Sequence, residues 1–362
     1  VSNTYVPPSL DDIRARLAEH LVTVRGSSLI VVNYTAKTQY DRRWDDVTLQ
    51  CRGLILAVDP PWPRSTRIVD VVALPFTKFF NVGEIGEGFS SPVVEVTEKL
   101  DGALGILYRS AGSHFVATRG SFTSEQAQWA SAYLKRYDLN GLPDHLTLLF
   151  EIIFPGSRVV VDYAGREDLV LLGVRNCRTG EDWFYPRVAE LGQAFGLAVV
   201  PTATSIQTLD HALQARESLP ADQEGWVIRC ADGQRWKVKG ETYRQIHRFI
   251  SHLSERAVLD ALAGGTFDLL AAATPELYRS RVTTWRGRIQ TDLDARLTEL
   301  HAICAIAPRE TRKDFALWVK ERHPRLAPYL FALLDGKDPT PQVYAAIRET
   351  LSPEPLVDSD EG

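Results

Sequence analysis

Methionine is absent from the 362 residues, and nothing physical in the sequence accounts for it. Cysteine is nearly as scarce: Cys51, Cys177, Cys230 and Cys304 lie far apart, with no Cys-x-x-Cys pair. That spacing argues against a zinc cluster and against a dense disulfide framework, so reduced, cytoplasmic thiols are the expectation. No apolar run reaches the roughly 20 residues needed to cross a bilayer, and "VSNTYVPPSLDDIRARLAEH" lacks the apolar core of a signal peptide. The expectation is a cytoplasmic protein with no membrane partner. Positive charge is not in excess either. With 41 Lys and Arg against 46 Asp and Glu, the net charge is −5. A general polycation is excluded, and any nucleic acid would have to be met by a local basic groove. Internal repeats and low-complexity tracts are missing as well.

What is present is ordinary globular composition, 44% hydrophobic and 24% charged, over a length that suits two domains. "SLDDIRARLAEHL" predicts an opening helix with Ser9 as N-cap and Asp12 three residues on. Short β-branched or apolar runs follow, separated by Gly, Pro and Asp turns: "SLIVVNY", "CRGLILAVD", "RIVDVVAL", "PVVEVTEKL", "GILYRS", "HFVATRG", "LTLLFEIIF", "RVVVDY", "DLVLLGVRN", "EGWVIRC" and "RWKVKG". Two helical patterns interrupt them, "SEQAQWASAYLKRY" and "YPRVAELGQAFG". Residues 1–244 therefore predict an α+β domain built on antiparallel sheets. After "ETYRQIHRF" the strand signals stop. Residues 245–350 predict an all-α C-terminal domain, and 351–362, with "SPEPLVDSDEG", a frayed tail.

The stretch "TEKLDGALGILYR", residues 97–109, raises a chemical question. If the run before it is a strand, Lys99 and Asp101 share a face, and Gly102 lets the chain turn closely past a ligand. A nucleophilic lysine needs desolvation or neighbouring positive charge to lower its pKa, so other basic residues should converge on it. Taken alone, the motif fits an exposed lysine before a turn. The rest of the chain changes the balance. Arg52 precedes a glycine at a strand start, Lys78 and Phe80 share a face in "PFTKFFNVGE", and Arg119 lies in "ATRGSF". Glu151 sits amid the apolar "LLFEIIF", Glu224 and Gly225 open "EGWVIRC", and Lys237 and Lys239 share a face of "RWKVKG". Charges repeatedly placed inside buried strands are costly unless paired or serving a ligand, which favours a phosphate and metal site.

This set, in this order, resembles the covalent nucleotidyltransferase superfamily of ligases and capping enzymes. Lys-x-Asp-Gly would be its motif I, "FEIIF" its motif III, "EGWVI" its motif IV and "KVK" its motif V. Within the superfamily the chain is most similar to the T4 RNA ligase 1 family, through "CRG", "KFFN" and "GSFTSEQA", over roughly residues 30–245. The resemblance implies that Lys99 attacks the α-phosphorus of ATP and carries AMP covalently. Lys237 and Lys239 would stabilise the phosphates and help keep Lys99 deprotonated. It implies nucleotide contacts from Arg52, Lys78, Phe80, Asp101, Gly102, Arg119, Glu151, Glu224 and Gly225. Glu151 and Glu224 would hold Mg²⁺ through water, with Mn²⁺ as an alternative, and which glutamate meets ribose or metal stays open.

The implied partner is RNA with 3′-OH and 5′-phosphate ends, sealed in RNA repair, with an end-healing kinase or phosphatase alongside. Arg42, Arg43 and Arg158 are candidate RNA contacts, as are Arg279, Arg281, Arg286 and Arg288 around Trp285. Against that last group stands an amphipathic helix with Trp285 in its core. A DNA ligase or capping guanylyltransferase would use the same lysine but places a small β-barrel after motif V, where this chain has helical patterns. A non-enzymatic binding module would tolerate loss of Lys99, Glu224 or the lysine pair, and all are present.

Overall fold

The computed structural model describes residues 4–84 and 91–354. Two units make up the chain, the first running to Gln245 and the second beginning at Ile246. The first is mixed α+β and the second, over its described residues, helical.

Helix α1 (Leu10–Ala18) opens on the predicted capping box, with the Asp12 N–H donating to Ser9 Oγ at 3.1 Å and the Ser9 N–H to Asp12 Oδ2 at 3.3 Å. The first sheet follows as an antiparallel meander of β1 (Val22–Gly26), β2 (Leu29–Tyr34), β3 (Arg52–Asp59) and β4 (Arg67–Ala73). Two short helices, α2 (Ala36–Tyr40) and α3 (Asp46–Gln50), fill the β2–β3 connection. Next come β5 (Phe80–Asn81), β6 (Val93–Lys99), β7 (Ala103–Ser110), β8 (Ser113–Ala117), α4 (Glu125–Leu134), β9 (Leu146–Ile153) and β10 (Asp168–Asn176). The unit is completed by α5 (Tyr185–Phe195), α6 (Leu209–Ala215), β11 (Gly225–Cys230) and β12 (Arg235–Lys239), and α7 (Glu241–Ser251) spans the division between the units. The second sheet has the order β10-β9-β7-β8 and is antiparallel throughout. The third, β5-β12-β11-β6, is antiparallel except where β12 meets β5.

The sequence texture explains how these sheets pack. The unbroken apolar run of β9 is buried at every position, as a strand covered on both faces requires. One face of the second sheet meets the first sheet through Ile106, Ala117 and Leu149 against Val31, Ile55 and Ala73. The other receives α4 and α5, whose Ala130, Leu134 and Val188 pack with Leu148, Phe150 and Ile152. The third sheet alternates. Val96, Ile228 and Val238 point to one side and pack with Ile206 and Ala212, leaving the opposite face for polar side chains.

In the second unit, α8 (Glu255–Ala263), α9 (Phe267–Ala273), α10 (Glu276–Ile306), α11 (Arg312–Arg322), α12 (Ala327–Leu334) and α13 (Thr340–Thr350) surround a core that includes Val258, Phe315, Leu330 and Ile347. Val282, Ile289, Leu293 and Leu300 form the buried stripe of α10. Trp285, three residues after Val282 and four before Ile289, lies at the edge of that stripe, half-buried, with Arg281 over its ring at 5.9 Å. The arginines grouped by sequence are dispersed: Arg279 pairs with Glu276, Arg288 with Glu255, and Arg286 lies 4.5 Å over Phe267.

"RVVVDY" is not a strand, because the N–H groups of Val160 and Val161 donate to Asp101 Oδ2, both at 2.6 Å, instead of to a neighbouring strand. The expected tail beyond Glu354 lies outside the described residues. No described helix is long and apolar enough to cross a membrane.

Candidate active site

The polar face of the third sheet is organised in rows by strand register. Gly225 on β11 stands opposite Lys99 on β6 and Lys239 on β12. Two residues on, Val227 stands between Thr97 and Lys237, and two further, Arg229 between Glu95 and Arg235. A period of two places all nine residues on one face, and all of them but Gly225 and Lys239 line a cleft whose wall includes Glu151 and Gly102.

The first row carries the sharpest geometry. Glu224 Oε1 lies 2.8 Å from Lys99 Nζ and 3.1 Å from Lys239 Nζ, with the carboxylate 1% exposed and the two lysines 15% and 9%. Gly225 makes the row possible. Its φ is +144°, and a Cβ there would fall 2.0 Å from the Val238 carbonyl oxygen and 2.8 Å from the Lys239 Cα.

Asp101 is used differently from expected. β6 ends at Lys99, so strand alternation does not reach Asp101. Besides its bonds to Val160 and Val161, its carboxylate accepts from the Tyr243 hydroxyl at 2.9 Å, and its N–H donates to Tyr163 Oη at 2.8 Å. Asp101 thus ties the end of the Lys99 strand to a loop and to α7, although it also borders the cleft. Gly102 likewise serves a close approach within the protein. A Cβ there would meet the Ile152 carbonyl oxygen at 2.5 Å and Glu151 Cγ at 3.2 Å, so the glycine lets β7 press against the strand that carries Glu151.

Arg52, Arg119 and Lys237 all border the cleft. Phe79 lies beneath two of them, 5.1 Å from the Arg52 guanidinium and 5.2 Å from Lys237 Nζ. Phe80, the aromatic singled out from sequence, is instead engaged with Lys78: Nζ of that lysine lies 5.1 Å from the ring of Tyr34, 5.2 Å from Trp44 and 5.3 Å from Phe80. Phe79, Tyr34 and Trp44 were missed by sequence reasoning. Phe79 was signalled only as the neighbour of Phe80, and Tyr34 as the polar end of an apolar strand.

The electrostatics invert one expectation. Burial pushes the Lys99 amine down, but Glu224, Glu151 and Asp101 more than reverse it, and its pKa stands above the ordinary lysine value. Lys237 is held well below that value by burial and by Lys78, Lys99, Lys239 and Arg52, and Lys239 is also lowered, because burial and Lys99 outweigh the pull of Glu224. Three carboxylates, Glu224, Glu151 and Asp101, act together on Lys99, while the neighbours that shift Lys237 most are cations. Glu224 is held below the usual carboxylate value, because its two lysines outweigh burial. Glu151 rises to about 8, through burial and the nearby Glu224 and Asp101, against the opposing pull of Lys99 and Arg52.

Residues 50–244, over half of the chain, match the sequence profile of the T4 ligase 1-type RNA ligases. The chain belongs to this RNA ligase family. It is 26% identical over 289 residues, 69% of this chain and 38% of the other, to a protein of Autographa californica nuclear polyhedrosis virus that carries the name of a bifunctional polynucleotide kinase/RNA ligase. It is 26% identical over 204 residues, 52% of each chain, to a protein of Thermovibrio ammonificans named as an RNA ligase. The chain thus spans about half or less of the length of these relatives. Among solved structures, an archaeal ATP-dependent RNA ligase superposes with a TM-score of 0.47 at 14% identity, over 79% of either chain.

Proposed function

We propose that this chain is an ATP-dependent RNA ligase that seals 3′-OH and 5′-phosphate ends, with residues 1–244 as its adenylation domain and 245–350 as a helical C-terminal domain. The observation that carries the reading is the row of Lys99, Gly225 and Lys239, with Glu224 at 2.8 and 3.1 Å from the two amines, at a cleft lined by Lys99, Glu224, Arg52, Arg119 and Lys237.

In the first step Lys99 loses a proton, for which Glu224 is the adjacent acceptor, and its nitrogen forms a bond to the α-phosphorus of ATP. The bond from that phosphorus to the β-phosphate oxygen breaks, and pyrophosphate leaves. Lys237, Lys239, Arg52, Lys78 and Arg119 offset the charge on the phosphates. In the second step an oxygen of the RNA 5′-phosphate attacks the lysine-bound AMP, the P–N bond breaks, and Lys99 recovers a proton. In the third, the RNA 3′-OH attacks the activated 5′-phosphate and AMP leaves. Glu151 is the group best placed to meet a ribose hydroxyl or a hydrated divalent ion.

The donor set fits Mg²⁺ or Mn²⁺ held largely through water. Among the described residues no cluster of three or more His, Cys, Asp or Glu could grip a bare ion, and Glu224 is engaged by two lysines, which leaves Glu151 as the direct or water-bridged carboxylate. When bound, the ion would neutralise phosphate charge. Work in RNA repair, in the cytoplasm, beside an end-healing kinase or phosphatase completes the proposal; the kinase in the name of the viral relative supports that partner.

The test is incubation with α-labelled ATP and magnesium, then denaturing electrophoresis, with matched RNA and DNA ends as acceptors. Lys99→Ala should reduce covalent labelling about a thousandfold or more, yet still seal RNA that carries a preformed 5′-adenylate. Label retained on that variant would overturn the assignment, and preference for DNA ends would overturn the substrate.

A further inference from the structure

Tyr34 touches or borders three cations that sequence analysis assigned separately to phosphate. Its hydroxyl accepts from Arg119 Nη1 at 2.7 Å. Its ring lies 5.1 Å from Lys78 Nζ, and 5.7 Å from the Arg119 guanidinium carbon. Its N–H donates at 2.6 Å to the carbonyl of Cys51, the residue before Arg52. Tyr34 is 3% exposed and borders the cleft, and Trp44 holds its ring edge-on at 5.0 Å. Gly53, with φ +91°, brings β3 so close that a Cβ would stand 3.0 Å from the Arg119 Cα. Tyr34 and Trp44 precede the segment that matches the family profile.

Like charges gathered in a buried cleft repel, and a side chain that keeps them together must attract each in a way that leaves it aimed at a ligand. Tyrosine offers two such attractions at once: the negative face of its ring for an ammonium and its oxygen for a guanidinium. We infer that Tyr34 is a positioning residue that holds Lys78 and Arg119 towards the terminal phosphates of the nucleotide, the part that departs as pyrophosphate. The inference rests on the nucleotidyl-transfer reading above. Its ligand class, a linear polyphosphate, can nevertheless be tested without turnover.

The experiment compares the full chain with Tyr34→Phe, which keeps the ring and removes the oxygen, and Tyr34→Leu, which removes both. Calorimetric titration with inorganic tripolyphosphate should show affinity about tenfold lower for Tyr34→Phe, the scale of one charge-assisted hydrogen bond, and lower again for Tyr34→Leu. In turnover, the KM for ATP in adenylylation should rise for Tyr34→Phe by about the same factor, with sealing of preadenylated RNA, which has no triphosphate, unchanged. Tyr34→Phe should have a smaller effect in the Arg119→Met background than in the wild type, because part of the hydroxyl's action passes through that guanidinium and part through Arg52. Equal tripolyphosphate affinity in wild type and Tyr34→Phe would overturn the inference. So would parallel losses of adenylylation and preadenylated sealing, which mark a purely structural residue. Failure of the wild type to form any covalent adenylate would overturn the enzymatic reading, while the tripolyphosphate titration would still decide the role of Tyr34.

Discussion

At the Glu95 end of the third sheet, each guanidinium reaches acceptors through its terminal nitrogens. Arg229 donates to the Trp183 carbonyl at 2.7 Å, the Asp182 carbonyl at 2.9 Å and Glu95 Oε2 at 3.3 Å, and Arg235 Nη2 donates to Asp182 Oδ1 at 2.9 Å. At the Lys99 end, four residues along the same strands, one carboxylate oxygen serves two lysines, and Lys237 stands with its pKa depressed among cations. The strands, face and charge types are alike, but the matching differs. Enclosed pairs hold a fold together. An excess of buried positive charge is costly for the protein by itself and becomes favourable when an anion with several phosphates arrives.

The largest effect should come from Glu224→Ala, which removes the counter-charge of both lysines. Adenylylation should fall about a thousandfold, and stability by about 3 kcal/mol, as for other broken buried pairs. Full adenylylation by Glu224→Gln would break the comparison, since a neutral amide would then suffice between the two amines. Lys237→Met sharpens the contrast. Its labelling rate should fall about a hundredfold, and the substitution removes the cost that burial and the nearby Lys78, Lys99, Lys239 and Arg52 place on the charged amine. The pH dependence has a definite sign. The folded-state pKa of Lys237 lies below that of the unfolded chain, so between the two the unfolded chain binds the extra proton, and wild-type stability rises with pH through that window. Melting curves of Lys237→Met should show a smaller rise, the remainder coming from Lys239; an identical slope in both proteins would refute the depressed Lys237. The smallest effect belongs to the enclosed end. Glu95→Gln weakens the pair with Arg229 and the acceptor for the Tyr185 N–H at the start of α5, so stability should drop by about 1–2 kcal/mol. Adenylylation below the melting range should stay within about threefold of wild type; a loss as large as that of Lys237→Met would erase the distinction between the two ends.

Much of the fold was legible because its signals are local. Ser9 and Asp12 announced α1, and the apolar alternation in "RWKVK" placed Val238 in the core with Lys237 and Lys239 on the other face. Charged residues inside apolar strands marked the cleft, and the chain order of those residues marked the family. Signals that depend on distant partners were not legible. "RVVVDY" has strand composition, but Asp101, some 60 positions away in sequence, takes its N–H groups. Strand β5 has only two residues, too few for alternation to tell whether Phe79 or Phe80 meets the cleft. The limits of α9 and α12 within the all-α region were not legible either, because "FDLLAAA" and "APYLFALL" are too apolar to show a polar face. The order of lysine pKa values is set by a 2.8 Å contact that no spacing in the chain reveals.

Glu151 sits on β9, the strand flanked by β7 and β10 and buried along its whole length. Amide protons of such a strand exchange with solvent through global opening, since local fraying cannot reach them. In deuterium exchange the segment Leu146–Ile153 should therefore be among the last to take up label. The carboxylate that faces the cleft thus inherits the lifetime of the folded state: heat should abolish its contact with any ligand there at the same temperature at which the sheets themselves come apart.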